Sequence, residues 1–242
     1  MRYKAVISYD GTLFHGFQKQ NNYRSVQEEL ENAIYKAFDQ KKEVYASGRT
    51  DKGVHALAQV IHFDLNLDLQ RRNLKKAMNS FLPQDIYVNS VEKVDDNFHA
   101  RFSAKAKTYR YLLDLNEINP LLVNYRYYYK GPKLDLSKLD EIPKIFIGTK
   151  DFKAFSKGNE KENTVRTIYT FTIKNIDNLL VFEIKGDGFL HNMIRLMIGM
   201  ILEVLKGKLE VNKLKEILDS KDQKLTPKLV PGSGLYLVSV EY

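Results

Sequence analysis

Residues Arg2 to Asp10 read RYKAVISYD, and the alternation in this stretch decides the fold class. Tyr3, Ala5, Ile7 and Tyr9 fall on one face of an extended chain, the period of two expected of a half-buried strand. The chain therefore opens with a strand. The next residues predict helices packed against it. Gly11 to Tyr23 is a loop carrying Phe14, His15, Gly16 and Phe17. Ser25 is placed to cap a helix, with Glu28 three residues on as the partner in a capping box. Val26, Leu30, Ala33, Ile34, Ala37 and Phe38 then recur at helical spacing. A second loop comes next, then a strand at Ala56 to Phe63, a basic amphipathic helix at Leu69 to Phe81 and a strand at Ile86 to Val94. Strand, helix, strand, helix, strand predicts a sheet with helices on one face.

The remainder repeats these ingredients without a visible sequence repeat. Lys107 to Leu115 alternates, with Tyr109, Tyr111 and Leu113 on one face. Leu136 to Phe146 predicts a helix limited by Pro143, and Asp151 to Asn163 an exposed loop. Thr164 to Ile173 and Leu179 to Lys185 predict two strands around a turn at Asn175 to Asn178. A long helix runs from about Leu190 to Leu205 and stops at Gly207. Val211 to Leu218 is a second helix and Leu235 to Tyr242 a closing strand. No Gly/Ser linker or low-complexity tract separates the parts. The expectation is an α+β protein of two halves, 1–105 and 106–242, packed across a cleft.

Composition narrows the chemistry. The 242 residues carry a formal charge of +8, spread over both halves, which favours a polyanionic partner such as a nucleic acid. There is no cysteine, which removes disulfides, thiolate catalysis and Cys-based zinc or iron–sulfur sites. The polar, basic start predicts no signal peptide. The longest apolar region, Phe189 to Leu205, is interrupted by His191, Asn192, Arg195 and Glu203, so a buried helix is expected rather than a membrane span. Five histidines stand singly and no H-x-x-x-H or H-E-x-x-H pair seats a metal. Nucleophile-elbow and P-loop patterns are absent too.

The loop Ser47 to Ala56, SGRTDKGVHA, stands out. A tight turn accounts for Asp51 and Gly53 but not for Arg49, Thr50 and His55. Arg49 and Asp51, two apart in an extended segment, point to the same side, and a neighbouring guanidinium keeps a carboxylate ionised. An ionised carboxylate suits a nucleophile better than a general acid. Attack on an electrophilic carbon, such as a sugar's anomeric carbon, is one such chemistry. Two basic clusters add direction. One runs from Arg101 to Lys133, with Lys107, Arg110 and Arg126 interleaved with Tyr109, Tyr111, Tyr125, Tyr127, Tyr128 and Tyr129. The other is Arg71, Arg72, Lys75 and Lys76 on a predicted helix. Cations bind phosphates and tyrosine faces stack on bases. Together the clusters point to RNA, with Lys52, Arg71, Arg72, Lys75, Lys76, Lys107 and Arg110 as the candidate contacts.

With these residues in view, the chain resembles the TruA family of tRNA pseudouridine synthases. The resemblance spans the chain in six segments: YKAVISYDGTLFHGFQKQ, SGRTDKGVHA, FHARFSAKAKTYRY, GTKDFKAFS, GDGFLHNMIRLMIG and PGSGLYLVSVEY. It implies a fold of two similar α/β-sandwich halves, with mixed or antiparallel sheets flanking a central cleft. It also implies an isomerase that detaches uracil at N1, rotates it and rejoins it through C5, with no cofactor and no metal. Asp51 matches the catalytic aspartate, acting by attack at the anomeric carbon or by way of a glycal. Arg49 matches the loop arginine that holds the flipped nucleotide and its backbone. Tyr109 matches the tyrosine against the base. Arg195 matches an arginine that pairs with Asp51, which would explain a buried charge on an apolar helix. Leu235 and its neighbours line the uracil pocket. The substrate implied is the tRNA anticodon arm at positions 38, 39 and 40, bound by a homodimer, with a cytoplasmic location. Lys52 departs from the family, which commonly has a small residue there. Phe17 and Lys19 replace a commoner Trp and Arg.

Two other classes compete. An RNA-binding module without catalysis has no need of the Arg49, Asp51, Tyr109 and Arg195 set. A nucleoside or glycoside hydrolase usually calls for two cooperating carboxylates, and no second one is evident near Asp51.

Overall fold

A computed structural model describes residues 1–66, 71–157, 163–226 and 228–242. In chain order the elements are β1 (Arg2–Tyr9), α1 (Val26–Phe38), β2 (Tyr45–Ala46), β3 (His55–Asp64), α2 (Arg71–Asn79), β4 (Ile86–Val94), β5 (Ala106–Asp114), β6 (Tyr127–Tyr128), α3 (Ile142–Phe146), β7 (Gly148–Asp151), β8 (Val165–Ile176), β9 (Leu179–Gly186), α4 (Met193–Leu205), α5 (Val211–Ser220) and β10 (Leu235–Glu241). The chain is an α+β protein built on mixed sheets. It divides into two units: residues 1–107 with 236–242, and residues 108–235.

In the first unit the strand order is β4-β1-β3-β10, with β2 on β3. β1 is antiparallel to β3 and β4, whereas β10 runs parallel to β3 through Tyr236 beside His55 and Leu237 beside Ala56. The alternation read from RYKAVISYD is realised: Tyr3, Ala5, Ile7 and Tyr9 are buried. Across the ladder they meet Phe63, Ile61 and Gln59, with Tyr3 opposite Phe63 and Ile7 opposite Gln59. α1 starts at the predicted cap, where the Ser25 side chain accepts from the Glu28 N–H, and it buries Val26, Leu30, Ala33 and Ile34. It also contacts α2, which packs on β4. The α2 helix begins at Arg71; Leu69 and Gln70 of the predicted span lie outside the described residues.

A buried histidine in this unit makes stability depend on pH. Burial, helped by His99 and Arg2, pushes His62 down to about 4. Its Nδ1 accepts the Ala100 N–H at 3.1 Å, and its ring stacks on Tyr45 with centroids 5.0 Å apart. In an unfolded chain a histidine titrates near ~6.5. Between those two values the unfolded chain binds the extra proton, so stability is complete above the higher one and declines as the pH falls toward the lower. The urea midpoint is expected to drop across that window, and to drop less in His62→Asn. An identical decline in both proteins would assign the effect to other groups.

In the second unit the order is β5-β9-β8-β7, with β6 parallel on β5. β8 and β9 form a hairpin whose turn places Asp177 and Asn178 at positive φ of 50° and 62°, the requirement of a two-residue type I′ connection. α4 is apolar nearly all round and buries Leu196, Met197, Ile198, Ile201, Val204 and Leu205. Two sequence expectations need correction here. The predicted helix at Leu136 to Phe146 is a short turn at Leu136–Lys138 followed by α3. Pro143 stands in the first turn of α3, where its missing N–H breaks no bond. The predicted exposed loop at Asp151 to Asn163 instead begins as β7 and a tight turn, Lys153–Phe155, that buries Phe155 against Phe146 with centroids 5.5 Å apart. Residues 158–162 of that span lie outside the described residues.

Candidate active site

The SGRTDKGVHA loop joins β2 to β3, and side chains from three strands hold it from beneath. Ser47 Oγ donates to Gln59 Oε1 at 2.6 Å, and Gln59 Nε2 donates to the Gly48 carbonyl at 2.8 Å. Lys107 Nζ donates to the Ser47 carbonyl at 2.5 Å. Thr50 Oγ1 meets the Tyr9 hydroxyl at 2.8 Å, both groups buried. Burial pushes the Tyr9 hydroxyl up to about 12, so it serves as a hydrogen-bond partner and not as a base near neutral pH. Each buried polar group here has a partner, the condition under which such a network stiffens a loop.

The preceding loop, residues 11–17, closes over the same segment. Phe17 N–H donates to the Thr50 carbonyl at 3.0 Å, and Gly53 N–H to the Phe14 carbonyl at 3.4 Å. Gly16 has a φ of 100°, and a Cβ there would lie 2.7 Å from the Thr50 oxygen. A Cβ on Gly11 would lie 2.0 Å from the Val54 oxygen. Glycine is thus required on both sides of the turn for backbone to lie on backbone. His55, buried on β3, accepts the Gly11 N–H on Nδ1 at 3.0 Å and stacks on Tyr236 with centroids 4.8 Å apart.

Asp51 opens a turn closed by Val54 N–H to the Asp51 carbonyl at 3.2 Å, with Gly53 at φ 75° in the third position, where a type II turn needs positive φ. Asp51 is half-buried, Arg49 and Lys52 are exposed. The segment from 49 to 51 is irregular rather than a strand.

The other predicted site residues take these places. Tyr109 is buried on β5, its ring edge-to-face with Phe189 at 5.1 Å. Arg195 lies in the first turn of α4 and is half-buried rather than buried as expected. Its Nε donates to the Val230 carbonyl at 2.8 Å and its Nη1 to Asn192 Oδ1 at 3.3 Å. The bond to Val230 holds the segment leading into Leu235. Tyr111 holds the same segment, its hydroxyl donating to the Pro231 carbonyl at 2.9 Å. Gly234 fits because a Cβ would come within 2.7 Å of the Leu112 oxygen. Leu235 is buried at the head of β10.

The predicted RNA contacts divide. Lys107 braces the Asp51 loop through Ser47, and Arg110 pairs with Glu183 at 2.8 Å. Lys76 is exposed on α2, and Lys75 Nζ lies 5.3 Å from the centroid of the half-exposed Tyr87 ring. Arg71 and Arg72 begin the same helix. Lys52 Nζ lies 3.2 Å from His15 Nε2. Arg126, from the other basic cluster, pairs with Asp114 at 2.9 Å. Burial pushes that carboxyl up, but Arg126 and Asn116 outweigh it and hold Asp114 below its ordinary range. Sequence reading missed Tyr9, Gln59, His55, Gly11 and Gly16 as supports. Nothing in the sequence marked them as supports, since Gln59 shares its strand with other polar residues, His55, His62 and Asp64. Among the described residues no group of three or more His, Cys, Asp or Glu could hold a metal ion, and no helix is long and apolar enough to cross a membrane.

The turn presents one half-buried carboxylate, Asp51, on a hydrogen-bonded loop. The profile of a family described as tRNA pseudouridine synthase matches residues 5–103 and 142–242. The chain is 44% identical over 248 residues to tRNA pseudouridine synthase A of Limosilactobacillus reuteri, covering 100% of this chain and 96% of that one. It is 40% identical over 240 residues to the protein of that name from Acetivibrio thermocellus, covering 99% and 98%. A solved structure, a Cbf5-Nop10-Gar1 complex, overlays at TM-score 0.36 and 12% identity, covering 82% of this chain and 53% of that one. The chain belongs to the TruA family of tRNA pseudouridine synthases, isomerases that convert uridine to pseudouridine.

Proposed function

We propose that this enzyme acts on the anticodon arm, at tRNA positions 38, 39 and 40, with Asp51 attacking the ribose or assisting a glycal intermediate. The observation that carries this reading is the mounting of Asp51. The carboxylate stands on a turn clamped by Tyr9, Gln59, Lys107, Gly11 and Gly16, an expense of buried polar groups that a surface turn does not require. The accompanying roles are Arg49 for the flipped nucleotide and its backbone, Tyr109 for the base, Arg195 for pairing with Asp51 and Leu235 for the uracil pocket. A cation in the first turn of an apolar helix opposes the helix dipole, and an anionic partner would offset that cost. Lys52, Lys76 and the start of α2 supply cations for the RNA backbone. The reading requires no cofactor and places the enzyme in the cytoplasm with its tRNA.

The decisive experiment maps pseudouridine in unmodified tRNA transcripts by carbodiimide labelling and primer extension. Stops at positions 38 to 40, with the RNA mass unchanged, support the reading. Release of free base would indicate hydrolysis, and binding without any stop would indicate an RNA-binding protein.

We further propose that two copies pair through the second unit. Leu121 is 83% exposed, and Ile118, Val123 and Ile176 are also exposed. Leu115 N–H to the Asn178 carbonyl and Asn116 Nδ2 to the Asp177 carbonyl, both 2.9 Å, bring this segment beside the β8–β9 turn. Apolar surface gathered in this way marks an association site. Sedimentation at micromolar concentration is expected to give a dimer, and Leu121→Asp a monomer. A native monomer would end this proposal.

A further inference from the structure

The loop before α1 gathers three groups next to the Asp51 turn. The rings of His15 and Tyr23 stack with centroids 4.3 Å apart and 29° between planes. Lys52, the residue after Asp51, brings its Nζ to 3.2 Å from His15 Nε2. An ammonium only donates, so Nε2 is the acceptor in this contact. Lys52 thus leans on the edge of a stacked aromatic pair.

The pair is firmly mounted. His15 N–H donates to the Arg24 carbonyl at 3.0 Å, and Gln20 Nε2 donates to the His15 carbonyl at 3.2 Å. Arg24 forks onto Asp85 at 2.6 and 2.9 Å, reaches Glu29 at 2.7 Å, and lies over the Phe14 ring at 4.2 Å. Tyr23, though stacked on His15, is still 50% exposed. A half-exposed ring backed by a second ring, in a loop tied down at both ends, is a poor way to bury apolar area and a good way to present an aromatic face.

We infer that Tyr23, backed by His15, is a stacking platform for an unpaired nucleobase beside the target uridine, and that Lys52 takes the adjoining phosphate. This rests on the proposed tRNA-modifying function. Flipping a nucleotide out of its stack leaves its neighbours without a partner. Aromatic faces accept any base, whereas a phosphate contact adds position without sequence. Lys52 sits one residue from Asp51, so the phosphate it binds belongs to the target or its neighbour.

The chain contains no tryptophan, so Tyr23→Trp introduces a single indole at the proposed contact. Titration with an anticodon stem-loop RNA is expected to quench its fluorescence. Tyr23→Ala is expected to weaken binding of that RNA about tenfold, the scale of one lost stacking contact, while Tyr23→Phe, which keeps the ring, binds as native. Lys52→Ala is expected to reduce the slope of log affinity against log salt by about one. No quenching, or equal affinity of Tyr23→Ala and native protein, overturns the platform. Weakening in Tyr23→Phe equal to that in Tyr23→Ala does so as well, because the hydroxyl and not the face would then be at work. An unchanged salt slope removes Lys52 from the phosphate. If the native protein neither binds nor modifies tRNA, the functional reading fails. If it does both and the variants behave as native, this inference alone fails.

Discussion

Replacing Asp51 by alanine is expected to cut pseudouridine formation at least about ten-thousand-fold, the scale seen when an essential nucleophile is removed, with tRNA affinity nearly unchanged. The carboxylate is half-buried on a turn whose other members supply backbone contacts. Its loss removes chemistry without removing cations. The turn should survive, because Gly53 supplies the positive φ and the Val54 N–H bond uses the main-chain carbonyl of residue 51. Single-turnover conversion of a tRNA transcript, with filter binding alongside, separates the two quantities. Turnover retained in the alanine variant would sink the assignment of Asp51. Affinity lost together with turnover would recast Asp51 as a structural or binding residue.

Gly11→Ala is expected to lower kcat about a hundredfold, the scale of an ångström-sized displacement of a catalytic group. It should do so although Gly11 touches no substrate in the proposed scheme. The added methyl would lie 2.0 Å from the Val54 oxygen and 2.5 Å from the Val54 carbonyl carbon. Neither atom can swing aside, because both are main chain of the residue that closes the Asp51 turn. The loop itself must shift, and the melting temperature is expected to fall with it. Gly48→Ala is the internal comparison. Its methyl would meet only the end of the Lys107 side chain, at 3.3 Å, which can yield. If both variants retained native kcat, the clamp between residue 11 and residue 54 would not be what positions Asp51.

Both predictions concern one loop, and its legibility was uneven. Its importance was plain from residue types, since a turn needs Asp51 and Gly53 but not Arg49, Thr50 and His55. Its supports were not. Gln59 reads as one polar residue in a strand, and Lys107 as one more cation in a basic cluster. Only the pairing of β1 with β3 puts Gln59 among core residues beneath Ser47 and Gly48. Only the fold brings Lys107 to the carbonyl of Ser47, sixty positions away in the chain. For the same reason Arg110 was a candidate RNA contact in the sequence and Arg126 one cation of a basic cluster, and only the structure shows their pairing with Glu183 and Asp114. A sequence lists charges without their partners.

Features that depend on near neighbours were legible in the chain alone. Period-two alternation defined β1 and β5. A serine three residues before Glu28 placed the start of α1. The string SGRTDKGVHA, with five other segments, was enough to identify the family. Features that depend on distant residues emerged only from packing. The fold set β10 parallel beside β3, split Leu136 to Phe146 into two short pieces, and buried Phe155 where a loop was expected. It also stacked Tyr23 on His15 and leaned Lys52 against them. Side-chain periodicity and capping are local properties of the backbone, so a short window of residues carries them. The partner of a buried amide, a cation or an exposed ring is chosen by packing among elements far apart in the chain.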